Sequence, residues 1–486
     1  RRLLMHARPD AEIIDVGRAH GDPGRLAQAD IAALLVERAR AGKTVVRLKN
    51  GDPFLFGRGA EEAAALRRAG IPFEVVPGVT SALAVPAYAG IPATDRDHAS
   101  LVTIVTGHLA CRPPGAGDGL PGLPWDALAR QRGTLVFLMG MKHLEGISAA
   151  LVEHGLEPAT PAAAIERGTT GRQRTVVATV ATLPSRVAQA GLRAPAVVVV
   201  GATVALRDQV QWFEARPLLG RRVLVTRPRA QAGELATLLE DLGAEVVLVP
   251  TIEIVPPLDP RALDRAVVAA GGYDWLVFTS VNGVRLFFDR MAVLRRDVRE
   301  LATARVAAIG PETAAELERR LVRPAVVPGD FRAEGLLAAL AGADVQGRRF
   351  LLPRAAGARA VLPETLRARG AIVDEVIAYR AVLPADTDVD GLRAAFAEAS
   401  LDVLTFTSSS TVRNFAALVG AETIARLARS DAPRVACIGP VTAETAREMG
   451  LRVDAVPSTY TAPALVREIA ALFCKGGGDP LTGDAG

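Results

Sequence analysis

The second half of this 486-residue chain is written twice. Tyr273-Asp274-Trp275-Leu276-Val277-Phe278-Thr279-Ser280 is matched by Leu401-Asp402-Val403-Leu404-Thr405-Phe406-Thr407-Ser408. Arg305-Val306-Ala307-Ala308-Ile309-Gly310-Pro311 is matched by Arg434-Val435-Ala436-Cys437-Ile438-Gly439-Pro440, and Gly220-Arg221-Arg222 by Gly347-Arg348-Arg349. The offset is about 128 residues. A repeat of that length encodes two similar subdomains rather than a solenoid, and a cleft between duplicated lobes is a natural ligand site.

Short β-branched runs alternate with Ala/Leu/Arg/Glu stretches of helical period along the whole chain. Expected strands are 44–48, 73–76, 101–106, 134–139 and 196–200, then 222–226, 245–250, 275–279, 305–309, 349–352, 403–407 and 434–438. Expected helices include 28–41 and 232–242. This alternation predicts an α/β fold with mainly parallel sheets. At roughly 150 residues per domain the length calls for several domains. A boundary is expected near 212–220, giving a first domain 1–216, a second domain 217–475 and a Gly/Asp/Pro-rich tail 476–486.

An apolar fraction of 50% with 23% charged residues fits a globular chain and excludes wholesale disorder. Cys111, Cys437 and Cys474 lie far apart with no CxxC, so a disulfide scaffold or zinc ribbon is not expected. The six histidines, His6, His20, His98, His108, His143 and His154, have no metal-site spacing, and no metal is expected. The net charge of +4 comes from scattered Arg with only 4% aromatics, which argues against nucleic acid and suits a small polyanion, because Arg binds carboxylates bidentately. Residues 75–94 carry no charge, but Pro77, Pro86 and Pro92 break them, so no membrane span is expected. With no secretory segment after the start, a cytoplasmic protein is expected.

In each repeat a strand runs into Phe-Thr-Ser (ending at Ser280 and Ser408) and another into Ile-Gly-Pro-x-Thr (ending at Thr313 and Thr442). Ser or Thr can cap the helix that follows, Pro fits its first turn, and the free N–H groups there attract anions. Single turns of this kind are ordinary strand-to-helix connections; four in two matched pairs point to a ligand. With Val225-Thr226-Arg227-Pro228, Ala378-Tyr379-Arg380 and Tyr460-Thr461-Ala462-Pro463 in the same order, residues 221–470 resemble uroporphyrinogen-III synthase. The resemblance implies two α/β lobes, 221–255 with 382–475 and 256–381, joined by a two-stranded connection. It implies hydroxymethylbilane, a linear tetrapyrrole with eight carboxylates, as substrate. The enzyme closes it to uroporphyrinogen III while inverting the last ring. Tyr379 matches the tyrosine thought to assist loss of the hydroxyl, and Thr461 the cleft threonine. Arg227, Ser280, Ser408, Gly439 and Thr442 are the further substrate-binding candidates.

In the first half, a strand candidate ends in Asn50-Gly51-Asp52-Pro53, followed by Phe54-Leu55-Phe56-Gly57-Arg58-Gly59, and the next ends in Pro77-Gly78-Val79-Thr80-Ser81. Both are tight turns at strand ends, where open α/β sheets bind ligands. Together they resemble the tetrapyrrole methyltransferase family, specifically uroporphyrinogen-III C-methyltransferase, over about residues 1–213. That implies S-adenosylmethionine held by Asn50, Gly51, Asp52, Leu55, Thr80, Ser81, Met139 and Gly168. Three departures accompany the match: Arg1 aligns after the family's first strand and its Gly-x-Gly-Pro-Gly-Asp loop, Asn50 stands where Gly is usual, and Arg18 stands where Lys is expected. No GxGxxG supports a nicotinamide domain.

The leading expectation is a bifunctional enzyme that makes uroporphyrinogen III and methylates it to precorrin-2, toward siroheme or cobalamin, with a homodimer formed through the methyltransferase domain. Two rivals stay open at this point. One is a monofunctional synthase with a degenerate methyltransferase domain; the other is a two-lobed sensor of a small anion without turnover.

Overall fold

The computed structural model describes residues 2–8, 10–17, 26–107, 122–227, 229–382, 384, 392, 396, 400–429 and 432–473. His20, His108, Cys111, Cys474, Arg18, Pro228 and the tail 476–486 lie outside the described residues. The chain divides into two units, Arg1–Gly220 and Arg221–Gly486.

In the first unit, β1 (Val102–Thr106), β2 (Thr134–Leu138), β3 (Pro161–Glu166), β4 (Arg174–Thr179) and β5 (Ala196–Val200) form one sheet in the order β1-β2-β5-β3-β4. Only β1 and β2 are parallel; the other pairs are antiparallel. This corrects the expectation of mainly parallel pairing for this unit. Residues 167–173 joining β3 to β4 are too few for a parallel crossover, which needs a dozen or more. β2 and β5 are buried on both faces, so their apolar residues run consecutively. Leu135 and Phe137 face the helices Leu144–Glu153 and Leu183–Ala190. Val136 and Leu138 face the opposite way, onto Ala82, Val85 and Ala89 from the helix Ser81–Tyr88 and its C-terminal cap. That helix is therefore clamped to the sheet, and its N-terminus is a fixed point.

Segments 44–48 and 73–76, expected as strands, are not strands. β-Propensity is realised only when a neighbour completes the ladder, and Val46 and Val76 are 83% and 74% exposed. Conversely, β3 was missed because Pro161-Ala162-Ala163-Ala164-Ile165-Glu166 is Ala-rich and reads as helix.

In the second unit, β6 (Arg222–Val225), β7 (Glu245–Leu248), β8 (Glu253–Val255), β9 (Trp275–Phe278), β10 (Arg305–Ala308), β11 (Arg349–Ala355), β12 (Ile372–Val382), β13 (Val403–Phe406) and β14 (Arg434–Cys437) form two sheets. Their orders are β14-β13-β6-β7 and β10-β9-β11-β12-β8. Apart from β8, the second order repeats the first strand for strand. Every ladder is parallel except β12–β8, where Arg380 faces Val255 and Val382 faces Glu253. That antiparallel pair is where the chain leaves one lobe and returns.

The repeat has a structural explanation at several positions. The Asp402 carboxylate accepts from the Arg222 N–H at 2.8 Å and Arg221 Nη1 at 3.0 Å. Asp274 does the same for the Arg349 N–H at 2.8 Å and Arg348 Nη1 at 3.2 Å. The Gly-Arg-Arg turns are thus staples between neighbouring strands. Phe406 meets Phe415 edge to face at 5.2 Å, and Phe278 meets Phe287 at 5.6 Å, each such pair contributing about 1 kcal/mol beyond its burial. Among the described residues no helix is long and apolar enough to cross a membrane, and no cluster of three His, Cys, Asp or Glu could hold a metal ion. His98 and His154 pair with Asp95 and Asp126.

Candidate functional site

In the second unit the Phe-Thr-Ser turns are helix caps. Ser280 Oγ accepts from the Gly283 N–H at 3.0 Å at the start of Val281–Val293. Ser408 Oγ accepts from the Thr411 N–H at 3.2 Å at the start of Ser409–Leu427, and Thr411 Oγ1 accepts in return from the Ser408 N–H. The Ile-Gly-Pro turns differ. Gly310 and Gly439 precede the nine-residue helices Pro311–Arg319 and Pro440–Glu448, and neither helix has a side-chain cap. Their first-turn N–H groups are left for another acceptor. Both glycines are extended, so conformational freedom does not explain them. A Cβ on Gly310 would lie 3.2 Å from the Phe331 ring, and one on Gly439 would lie 3.3 Å from the Tyr460 ring. An aromatic ring seals the same turn in each lobe, Phe331 in one and Tyr460 in the other.

Parts of three of these turns border one cavity of about 330 Å³. Thr279, Ile309 and Phe331 line it from one lobe; Ile438, Gly439, Thr442 and Tyr460 line it from the other. Of the expected residues, Gly439 and Thr442 are therefore brought together in the cleft. Ser280 and Thr461 sit one residue from its lining; Thr461 caps the helix Ala462–Ala471, accepting from the Ala464 N–H at 3.4 Å. Ser408 is a cap outside the lining, and Arg227 is half-buried at the end of β6, also outside it. Tyr379 is 8% exposed on β12, outside the lining, with its hydroxyl 2.9 Å from Ser280 Oγ. Burial pushes the Tyr379 phenol up, and hydrogen bonding with Ser280 and Asn282 offsets part of that, so it keeps its proton at neutral pH. Sequence reasoning missed Arg332, Arg354 and Arg359, which also line the cavity. Nothing in a chain with scattered arginines marks three of them as neighbours, although Arg354 ends Gly347-Arg348-Arg349-Phe350-Leu351-Leu352-Pro353-Arg354 as Arg227 ends Gly220-Arg221-Arg222-Val223-Leu224-Val225-Thr226-Arg227.

In the first unit, the loop at Asn50-Gly51-Asp52 meets the turn at Gly78. The Asp52 carboxylate accepts from the Phe54 N–H at 2.8 Å and the Gly78 N–H at 3.1 Å, and these bonds hold it below its ordinary value. Gly51 has φ +62°, and a Cβ there would lie 3.7 Å from Thr80 Cα. Thr80 caps the helix Ser81–Tyr88, accepting from the Ala82 N–H at 3.2 Å. Gly168 packs on the middle of that helix, where a Cβ would fall 2.3 Å from Val85 Cγ1. Met139 follows β2 and is half exposed, with Gly140 packed against Gly107. Phe56, Met139, Arg167 and Thr169 all have positive φ, and each lies at or next to Leu55, Met139 or Gly168. Such backbone conformations cluster at ligand sites, although Arg58, Arg295 and Leu321 adopt them too.

The loop is anchored from below by Glu62, 4% exposed on the helix Gly59–Arg68. It accepts from Gln28 Nε2 at 2.9 Å, Lys49 Nζ at 3.0 Å and Arg47 Nε at 3.3 Å. Burial alone would raise its carboxyl; hydrogen bonds from Lys49 and Gln28 and the Arg47 charge outweigh burial and hold it below its usual value.

Fold and sites together define a fused α/β enzyme class: one unit with a strained, glycine-lined loop site, another with a cleft between duplicated lobes. Residues 1–184 match the family model for tetrapyrrole (corrin/porphyrin) methylases, and residues 233–467 the model for uroporphyrinogen-III synthase HemD. The porphyrin biosynthesis protein HemD of Ruminiclostridium josui is 37% identical over 443 residues, covering 91% of this chain and 85% of that protein. The chain belongs to this family of porphyrin biosynthesis proteins, with a tetrapyrrole methylase domain ahead of a uroporphyrinogen-III synthase domain. Uroporphyrinogen-III C-methyltransferase of Bacillus subtilis (strain 168) is 39% identical over 322 residues, 66% of this chain and 64% of that protein. Siroheme synthase of Ectopseudomonas mendocina (strain ymp) is 50% identical over 212 residues, 44% of each.

Proposed function

We propose that the second unit closes hydroxymethylbilane to uroporphyrinogen III and that the first unit methylates this product with S-adenosylmethionine to precorrin-2, in the cytoplasm. The observation that carries the synthase reading is a single cavity bordered by the uncapped Gly439–Thr442 helix start from one lobe and by Thr279, Ile309 and three arginines from the other. The reaction needs the linear tetrapyrrole folded so that the far ring attacks the carbon that has lost its hydroxyl, which is a problem of proximity. Free N–H groups of Thr442 and its neighbours would hold carboxylates. Tyr379, kept protonated by burial, would give its proton to the departing hydroxyl, with Ser280 orienting it. Arg227, Ser408 and Thr461 stand further from the cleft lining, as supports for its walls.

For the methylase unit, the residues present fit the methyl donor. Close backbone approach at Gly51, Gly78 and Gly168 and strained backbone at Phe56 and Met139 build a defined site rather than a mobile loop. The donor supplies a methyl already activated on sulfonium. Asn50, Thr80 and Ser81 would bind its polar parts, Leu55 and Met139 its apolar parts, while Asp52 braces the loop through Gly78. Exposed Val46, Val76 and Val79 give this unit an apolar surface that suits a homodimer, which light scattering of the purified protein tests.

The test is anaerobic incubation of the full chain with hydroxymethylbilane and S-adenosylmethionine, with products separated by isomer and mass. Type III product carrying two added methyl groups is expected. Unmethylated type III would confine catalysis to the second unit, and type I alone, the spontaneous product, would overturn the synthase reading.

A further inference from the structure

Arg354 lies at the end of β11 and is 7% exposed, yet it borders the cleft. Its Nη1 donates to the Glu375 carboxylate and its Nη2 to the Arg359 carbonyl. Its Nε is buried and has no hydrogen-bond partner among the described residues. A guanidinium donor withdrawn from water and given no acceptor is costly, and folded proteins rarely keep one without a use. The backbone here is also irregular: the β11–β12 register slips between Arg354 and Ala355, so that Arg354 faces Ile377 and Ala355 faces Tyr379. Bulges of this kind re-aim side chains beside active sites. Arg332 and Arg359, with half-exposed side chains, border the same cavity.

We propose that Arg354 is a substrate-binding residue whose free Nε–H receives one carboxylate of the tetrapyrrole, with Arg332 and Arg359 holding a neighbouring arm. This rests on the synthase reading of the second unit. It assigns the arginine wall to one lobe, opposite the backbone N–H wall at Gly439–Thr442 on the other. The two Nη groups already engaged fix the guanidinium plane. A lysine would keep a positive charge opposite Glu375 and lose the fork.

The full chain is assayed for type III formation at varied hydroxymethylbilane concentration, as wild type and as Arg354→Lys, with melting temperatures recorded for both. The variant is expected to raise KM about tenfold, the worth of one hydrogen bond between charged groups, with a smaller change in kcat and more type I leakage. A folded variant with unchanged KM overturns the proposal. If Arg354→Lys does not fold, the double variant Arg332→Ala with Arg359→Ala, at exposed side chains, decides: a several-fold rise in KM supports the arginine wall, and an unchanged KM overturns it. A wild-type protein that yields only type I refutes the synthase reading itself, an outcome separate from any difference between variants.

Discussion

Replacing Gly78 with Ala tests whether the two first-unit turns form one site. The added Cβ would lie 2.2 Å from the Gly51 carbonyl oxygen and 3.0 Å from the Gly51 carbonyl carbon. An ordinary carbon–oxygen contact is about 3.3 Å or more, so the loops must part by roughly 1 Å. Both sides of the clash are main chain, and no side chain can rotate out of the way. Gly78 is free of positive φ, so the penalty is overpacking alone, about 1–3 kcal/mol and toward the upper end because backbone meets backbone. Parting the loops also draws the Gly78 N–H away from Asp52 Oδ2, now 3.1 Å away. A displacement of that size in a positioned site costs on the order of a hundredfold. Methyl transfer by the full chain should therefore slow by about that factor, with weaker calorimetric binding of S-adenosylhomocysteine, while type III formation by the second unit persists. Gly233→Ala is the matched control: it lies inside the helix Arg229–Asp241 with no atom near its added Cβ, and should stabilise by about 0.5–1 kcal/mol. If Gly78→Ala binds the ligand and melts like wild type, the loops do not form a joint cradle.

Tyr379→Phe should lower kcat for type III product by about a hundredfold or more while KM moves little; activity within about threefold of wild type would remove Tyr379 from proton transfer. Glu62→Gln should cost about 3 kcal/mol, the lower end for a broken buried pair because the Lys49 side chain is 10% exposed. Because the Glu62 carboxyl is held below its ordinary 4.5, its stabilisation is complete above that pH and fades as pH falls through the lower folded value. The wild-type first unit should accordingly lose melting temperature in acid more steeply than the variant, and parallel acid curves would refute the clamp. Burial pushes the Cys437 thiol up to about 12, so at pH 8 it should resist alkylation until the second unit unfolds, as peptide mass mapping would show; rapid labelling of native protein would contradict this.

Much of the second unit is legible in the chain because duplication makes each copy a check on the other. Local pattern alone places the Phe-Thr-Ser and Ile-Gly-Pro turns at strand ends, since a strand followed by Ser or Gly-Pro has few alternatives. The same reasoning failed at 44–48 and 73–76, where β-branched residues exist without a ladder. It also missed β3, whose Ala-rich run reads as helix, and β4, which pairs with it. Ser408 caps the helix that follows it, and Arg227 is half-buried after β6; neither lines the cavity.

By itself the sequence determined the α/β alternation, the duplicated lobes, the helix caps and the family, because each is written in local pattern or in order along the chain. Only the tertiary structure decided that Gly310 and Gly439 are small because Phe331 and Tyr460 press on them. It alone put Arg354, Arg332 and Arg359 on one wall and left Arg354 Nε without an acceptor. It alone gathered Gln28, Arg47 and Lys49 on Glu62. The physical reason is common to all three: periodicity and capping are properties of neighbours in sequence, whereas close approach, burial and pairing of charge arise between residues that meet only when sheets and helices pack.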